Sequence, residues 1–134
     1  MKKLALMLGA MMISGSAYAG NVACTGSYFG YKFDVAARTQ GNKVRGDISI
    51  NVTSPGGSQE PGTLKTSSSN IRPNQRIQMA GANEESQLTL DAPYSNRQYR
   101  GRLQINSTRG NVGVDVTCTL TGNFAEDFET DIVE

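Results

Sequence analysis

Hydrophobic and polar residues alternate with a period of two along most of the chain, and that period predicts β-strands. The clearest run is Val112-Gly-Val-Asp-Val-Thr-Cys-Thr-Leu-Thr-Gly122. Val112, Val114, Val116, Cys118 and Leu120 share one parity, and Gly113, Asp115, Thr117, Thr119 and Thr121 share the other. Cys118 is therefore expected to face the core, and its only possible intrachain partner is Cys24. Cys24 lies in a first strand with Val22 on the same inward parity. Beyond it the apolar positions switch to Phe29, Tyr31, Phe33, Val35 and Ala37, so a bulge, turn or break is expected within Gly26-Ser-Tyr-Phe-Gly30.

Two hairpins stand out. In the first, Gln40-Gly-Asn42 turns the chain into a strand with Val44, Gly46, Ile48, Ile50 and Val52 inward. In the second, Tyr99, Gly101, Leu103 and Ile105 face inward and Arg109-Gly-Asn111 leads into the last strand. Between them, Ser54 to Gly62 reads as a loop because it holds two prolines and three glycines. A short strand is expected near Thr63 to Thr66, then a polar stretch Ser67 to Asn70. Further strands follow, with Ile77 and Met79 inward and then Leu88, Leu90 and Ala92, separated by a turn over Gly81 to Glu85. A shift of 55 positions aligns Phe33 to Thr53 with Leu88 to Thr108, pairing Arg45-Gly46 with Arg100-Gly101, which suggests a weak internal duplication of one hairpin.

Seven or eight strands with frequent turns, the first and last joined by a Cys24–Cys118 disulfide, predict a single-domain antiparallel β-barrel. Closure makes the end strands neighbours. A two-sheet sandwich is the alternative. The period changes after Asn123, where Phe124, Phe128 and Ile132 recur every four residues among acids, as in a short C-terminal amphipathic helix.

The start of the chain alters the picture of the compartment. Met1-Lys-Lys, an apolar run from Leu4 to Ile13 and Ala17-Tyr-Ala19 have the layout of a cleaved bacterial secretory signal over residues 1–19, which implies a periplasmic or secreted protein. Residues 20–122 then form the barrel domain and 123–134 an acidic tail. The apolar run is about half the roughly 20 residues of a spanning helix, so no stable membrane insertion is expected. A lipid anchor on Cys24 fits poorly, since Asn21 stands where such a signal carries leucine. An oxidising compartment favours the disulfide over free thiols or an intermolecular bridge.

Charge narrows the partners. Residues 20–122 carry eleven basic and seven acidic side chains, and the tail adds Glu126, Asp127, Glu129, Asp131 and Glu134. That excess is too small for a dedicated nucleic-acid binder. The sequence has no histidine, which removes the usual general base, the serine–histidine and cysteine–histidine nucleophile systems and most zinc sites. The acids fall mainly on outward positions, so no enzyme, metal or cofactor is expected.

The remaining chemistry is arginine. Arg97, Arg100 and Arg102 are close in sequence, Arg109 sits at the following turn, and Arg45 holds the equivalent place in the first hairpin. Guanidinium forks suit carboxylate, phosphate or sulfate groups, although a charged exterior that keeps sheet edges soluble is the commoner reason for such residues. The sequence thus points to a non-enzymatic exported binding protein, engaging a protein through loops and an arginine face or a small apolar ligand in an internal cavity. The alternatives are an inhibitor of a secreted hydrolase, using Ser54 to Gly62 or Pro93 to Gln98, and a structural envelope component.

Overall fold

The computed structural model describes residues 19–122. They form eight antiparallel strands: β1 Ala19–Tyr28, β2 Tyr31–Gln40, β3 Lys43–Thr53, β4 Gln59–Arg72, β5 Arg76–Ala82, β6 Ser86–Ser95, β7 Gln98–Ser107 and β8 Gly110–Gly122. Each strand pairs with the next, and β1 pairs with β8 from Gly20↔Gly122 to Gly26↔Val116, so the sheet closes into a barrel and not a sandwich. The expected C-terminal helix and all of the signal segment but Ala19, the first residue of β1, lie outside the described residues.

Alternation decides what faces in. Val22, Val35, Ile48, Leu64, Ile71, Ile77, Leu88, Leu103 and Val114 are among the side chains buried in one continuous core. Their outward neighbours are polar: Arg100, Arg102, Gln104 and Asn106 on β7, and Asp115, Thr117 and Thr119 on β8. Apolar inside and polar outside is the reverse of a membrane-spanning barrel. Among the described residues, no helix is long and apolar enough to cross a membrane. Cys24 and Cys118 are directly opposite in the β1–β8 register and disulfide-bonded, with Cα atoms 4.0 Å apart.

Several local expectations are corrected by the ladder. The turn expected within Gly26 to Gly30 is present, but Phe29 does not join the core: Phe29 and Gly30 form a two-residue turn with φ of 49° and 84°, and Phe29 and Tyr31 are both exposed. Two positive φ values in a two-residue hairpin loop are the type I′ pattern, which matches the twist of the strands. Gly46 points outward because β3 bulges there. The ladder passes from Ala36↔Ser49 to Arg38↔Arg45, and Gly46 has φ 82°. The turn after β6 is only Asn96-Arg97, since Pro93 to Ser95 belong to the strand.

The largest difference lies in β4. Only Ser54–Ser58 remain outside strands, and a single 14-residue strand replaces the expected loop, short strand and polar stretch. This strand changes partners along its length. Gln59 to Leu64 pair with β3, whereas Lys65 to Arg72 pair with β5. An extra residue at Ser67 shifts the register between Thr66 and Ser68, which moves the inward positions from Leu64 to Ile71, from even to odd. Because Pro61 lies where β4 has a neighbour on one side only, its missing N–H costs no ladder bond.

The partner change leaves β3 without a ladder to β4 beside Lys43 to Asp47, and side chains fill the gap. Thr66 Oγ1 donates to the Gly46 carbonyl at 2.7 Å, the Val44 N–H donates to Ser69 Oγ at 2.8 Å, and Lys43 Nζ reaches the Ser69 carbonyl at 3.1 Å. The polar run Ser67 to Asn70 thus serves as a seam. The adjoining end of the barrel is closed by the β4–β5 turn. There the Asn74 N–H donates to Tyr99 Oη at 2.7 Å and the Tyr94 N–H to the Gln75 carbonyl at 2.9 Å.

Burial pushes the Tyr99 phenol above its ordinary 10.0; the Asn74 N–H opposes this and neighbouring Tyr94 adds to it. The unfolded chain therefore releases this proton first as pH rises beyond about 10, and stability falls from there until the folded group also ionises. Tyr99→Phe should flatten that alkaline decline in urea-unfolding curves. At neutral pH the variant should cost about 1–2 kcal/mol, because the Asn74 N–H loses its acceptor.

Candidate functional site

The same partner change shapes the opposite end of the barrel. β5 is only seven residues long and stops at Ala82, so no strand pairs with the free edge of β4 from Gln59 to Leu64. A hollow of about 590 Å³ opens between that edge, the β5–β6 turn and the β7–β8 turn. Its walls are the last inward side chains of the strands, including Ile50, Val52, Leu64, Leu88, Ile105 and Val112. Ile50, Val52, Ile105 and Val112 are only partly buried, although they pack on the core. Gly62 keeps the hollow open on the β4 side, where a methyl group would stand 3.7 Å from Ile50 Cγ2.

The rim is polar and ordered by local hydrogen bonds. Asn83 Oδ1 accepts from the Glu85 and Ser86 N–H groups at 2.8 Å each, a side-chain mimic of a backbone turn. Asn83 Nδ2 donates across the gap to the Thr63 carbonyl at 3.1 Å. The Thr108 N–H donates to the Glu85 carbonyl at 3.2 Å and ties the β7–β8 turn to the β5–β6 turn. In the β3–β4 loop the Ser54 N–H donates to the Ser58 carbonyl at 2.8 Å. Glu60, Glu85 and Arg109 stand on this rim.

The five arginines singled out from the sequence do not form one cluster. Arg97, Arg100 and Arg102 share the β6–β7 turn and the outer face of β7. Arg100 Nε donates to Gln98 Oε1 at 2.7 Å, and Arg102 Nη1 bonds Asp115 Oδ1 at 2.9 Å. Arg45 lies on β3, four strands away in either direction, on the opposite wall and paired with Arg38. Arg109 lies at the other end of β7 and alone reaches the hollow.

Other hollows are present among the described residues. A groove of about 440 Å³ on the outer wall runs past Ser69, Gln78, Asp91 and Arg102, where Asp91 is already paired with Arg76 at 2.9 Å. A wider one of about 1020 Å³ borders Ala19, Gly122, Arg38 and Arg45, where the described residues end. The groove is lined mainly by polar side chains and the wider hollow mainly by small residues. The mouth is the one of the three lined by large apolar side chains from several strands with a few charges on its rim, the usual composition of a ligand site.

No family description, curated protein or solved structure matches the chain. Among the described residues, no group of three or more potential metal ligands comes together. Sequence reasoning missed this site because its cause is the length of β5 and the bulge at Ser67, neither of which alters the hydrophobic pattern locally. The available signal was Pro61-Gly62, a proline and a glycine inside what proved to be a strand.

Proposed function

We propose that the protein is an exported, non-enzymatic binding protein that holds a small apolar molecule in the mouth of its barrel. The observation that carries this reading is the unpaired edge of β4, which leaves apolar side chains of six strands facing an open hollow of about 590 Å³. That volume falls within the range of small-molecule sites. Ordered rim bonds favour a preformed site, which limits the entropy lost on binding. Arg109 supplies a fork for an anionic head group, while Glu60 and Glu85 disfavour a ligand charged along its body.

The test is calorimetric titration with dodecanoate, an apolar chain bearing one carboxylate. Saturable one-to-one binding is expected, with a negative heat-capacity change from apolar burial. Ile105→Glu places a charge on the mouth wall and should weaken binding at least about tenfold, since desolvating a carboxylate costs far more than 1.4 kcal/mol. Its circular dichroism should match the parent, because Ile105 is only partly buried. A parent protein that takes up no dodecanoate would contradict the reading.

A further inference from the structure

Among the described residues, the large hydrophobic side chains left exposed are Tyr28, Phe29 and Tyr31, which all belong to the β1–β2 turn, with exposures of 43%, 84% and 43%. The turn projects from the same end of the barrel as the apolar mouth. A methyl group at Gly30 would lie 3.1 Å from Pro55 Cγ, so the turn leans on the β3–β4 loop beside the rim. Phe29 occupies the apex with φ 49°, a conformation suited to asparagine or glycine and strained for a bulky residue. Nothing in the fold rewards that strain, because the ring is outside the core. Its one ring contact is an edge-on approach to Tyr28 at 4.6 Å, itself exposed.

We infer that the turn Tyr28-Phe29-Gly30-Tyr31 is a membrane-surface anchor that presents the open mouth to a lipid bilayer, from which the apolar ligand is taken. An apolar ring at the apex with a tyrosine on each shoulder matches the layering of a bilayer interface, where phenols sit at head-group depth and a phenyl ring goes deeper. The turn from Ser27 to Tyr31 carries no charge. The charges at this end of the barrel are mixed, Lys32 and Arg109 with Glu60, Glu84 and Glu85, and leave no positive excess, so attachment rests on apolar burial and not on attraction to anionic lipid. With one short apolar turn, attachment is weak and reversible, as a carrier that must leave the surface requires. The ligand source rests on the mouth as the binding site, whereas the anchor itself does not.

The experiment is flotation of the exported form, residues 20–134, with phosphatidylcholine vesicles at millimolar lipid, in low and high salt, comparing the parent with Phe29→Asn. Asn-Gly is the preferred sequence for this turn type, so the variant should unfold a few degrees higher than the parent. It should nevertheless partition onto vesicles roughly tenfold less, while dodecanoate binding in lipid-free solution stays unchanged. Gain of stability with loss of flotation is the expected signature. Flotation that is equal in the two proteins, or that requires anionic lipid and vanishes in salt, overturns the anchor. So does a parent that never floats, which would leave the turn to a protein partner. Loss of dodecanoate binding by the parent would instead overturn the mouth, so the two failures are distinguishable.

Discussion

Replacing Cys118 by Ser together with Cys24 by Ser is expected to lower the thermal midpoint by on the order of 15–20 °C in non-reducing buffer. The bridge spans 94 residues of sequence and joins the first strand to the last. In the chain-entropy account, opening a loop of that length frees the unfolded ensemble by about 4–5 kcal/mol. Little native structure is lost in return. The β1–β8 ladder runs from Gly20 to Gly26 without the sulfurs, so the folded barrel should stay closed. The double substitution avoids a lone thiol that could pair between molecules. Differential scanning calorimetry of the two proteins checks the effect, and equal midpoints would mean that closure of the sheet, and not the bridge, limits unfolding.

A second large effect is expected from Gly101→Ala, which should destabilise the barrel by about 3 kcal/mol or more. Gly101 faces inward on β7 where β6 comes unusually close. An added methyl would run into the Asp91 carbonyl oxygen and lie 2.5 Å from the Ala92 Cα. These obstacles are backbone, so no side chain can move aside. The ladder is interrupted at the same place, between Asp91↔Arg102 and Tyr94↔Tyr99, where Pro93 has no N–H to donate. Gly113→Ala is the control. Its methyl meets only the guanidinium of Arg102, which can swing away at the cost of an exposed pair with Asp115. Exposed pairs contribute about 0–1 kcal/mol, so urea unfolding should show the two alanines differing by several-fold in effect.

These expectations rest on features that were unequally legible in the sequence. Strict alternation made the inward faces of β6, β7 and β8 readable residue by residue: Leu88, Leu90, Leu103, Val114 and Val116 are all buried. The bridge was legible because Cys24 and Cys118 are the two cysteines of the chain and each shares the inward parity of its strand. What escaped the pattern were positions where backbone geometry overrides it. Phe29 looked like a core residue because it shares the parity of Phe33, yet it forms a turn with Gly30 and faces solvent. Ser67 gave no hint that it adds a residue to β4, because a bulge inside a polar stretch leaves no mark on hydrophobicity. Pro61 argued for a loop, and the argument failed only because that part of β4 has one free edge. Whether a strand has one neighbour or two is a property of the closed sheet, invisible locally.

The arginine reading shows the same limit. Arg45 and Arg100 are equivalent in the internal alignment, but two halves of an eight-stranded barrel place equivalent strands on opposite walls. Near their turns the two hairpins do share a register, with Thr39↔Val44 and Tyr94↔Tyr99 at matching distances from the turn. The bulge at Gly46 then separates them. Of the five arginines, only Arg109 is carried to the mouth, because the β7–β8 turn lies at the end that β5 fails to cover.

The central claim is that this uncovered end binds an apolar molecule, and methyl-labelled nuclear magnetic resonance of a dodecanoate titration tests it most directly. The account predicts saturable shifts concentrated on Ile50, Val52, Ile105 and Val112, with methyl groups at the closed end, such as Ile71, unmoved. Shifts spread evenly over the surface, or confined to the outer wall around Arg100 and Arg102, would contradict it.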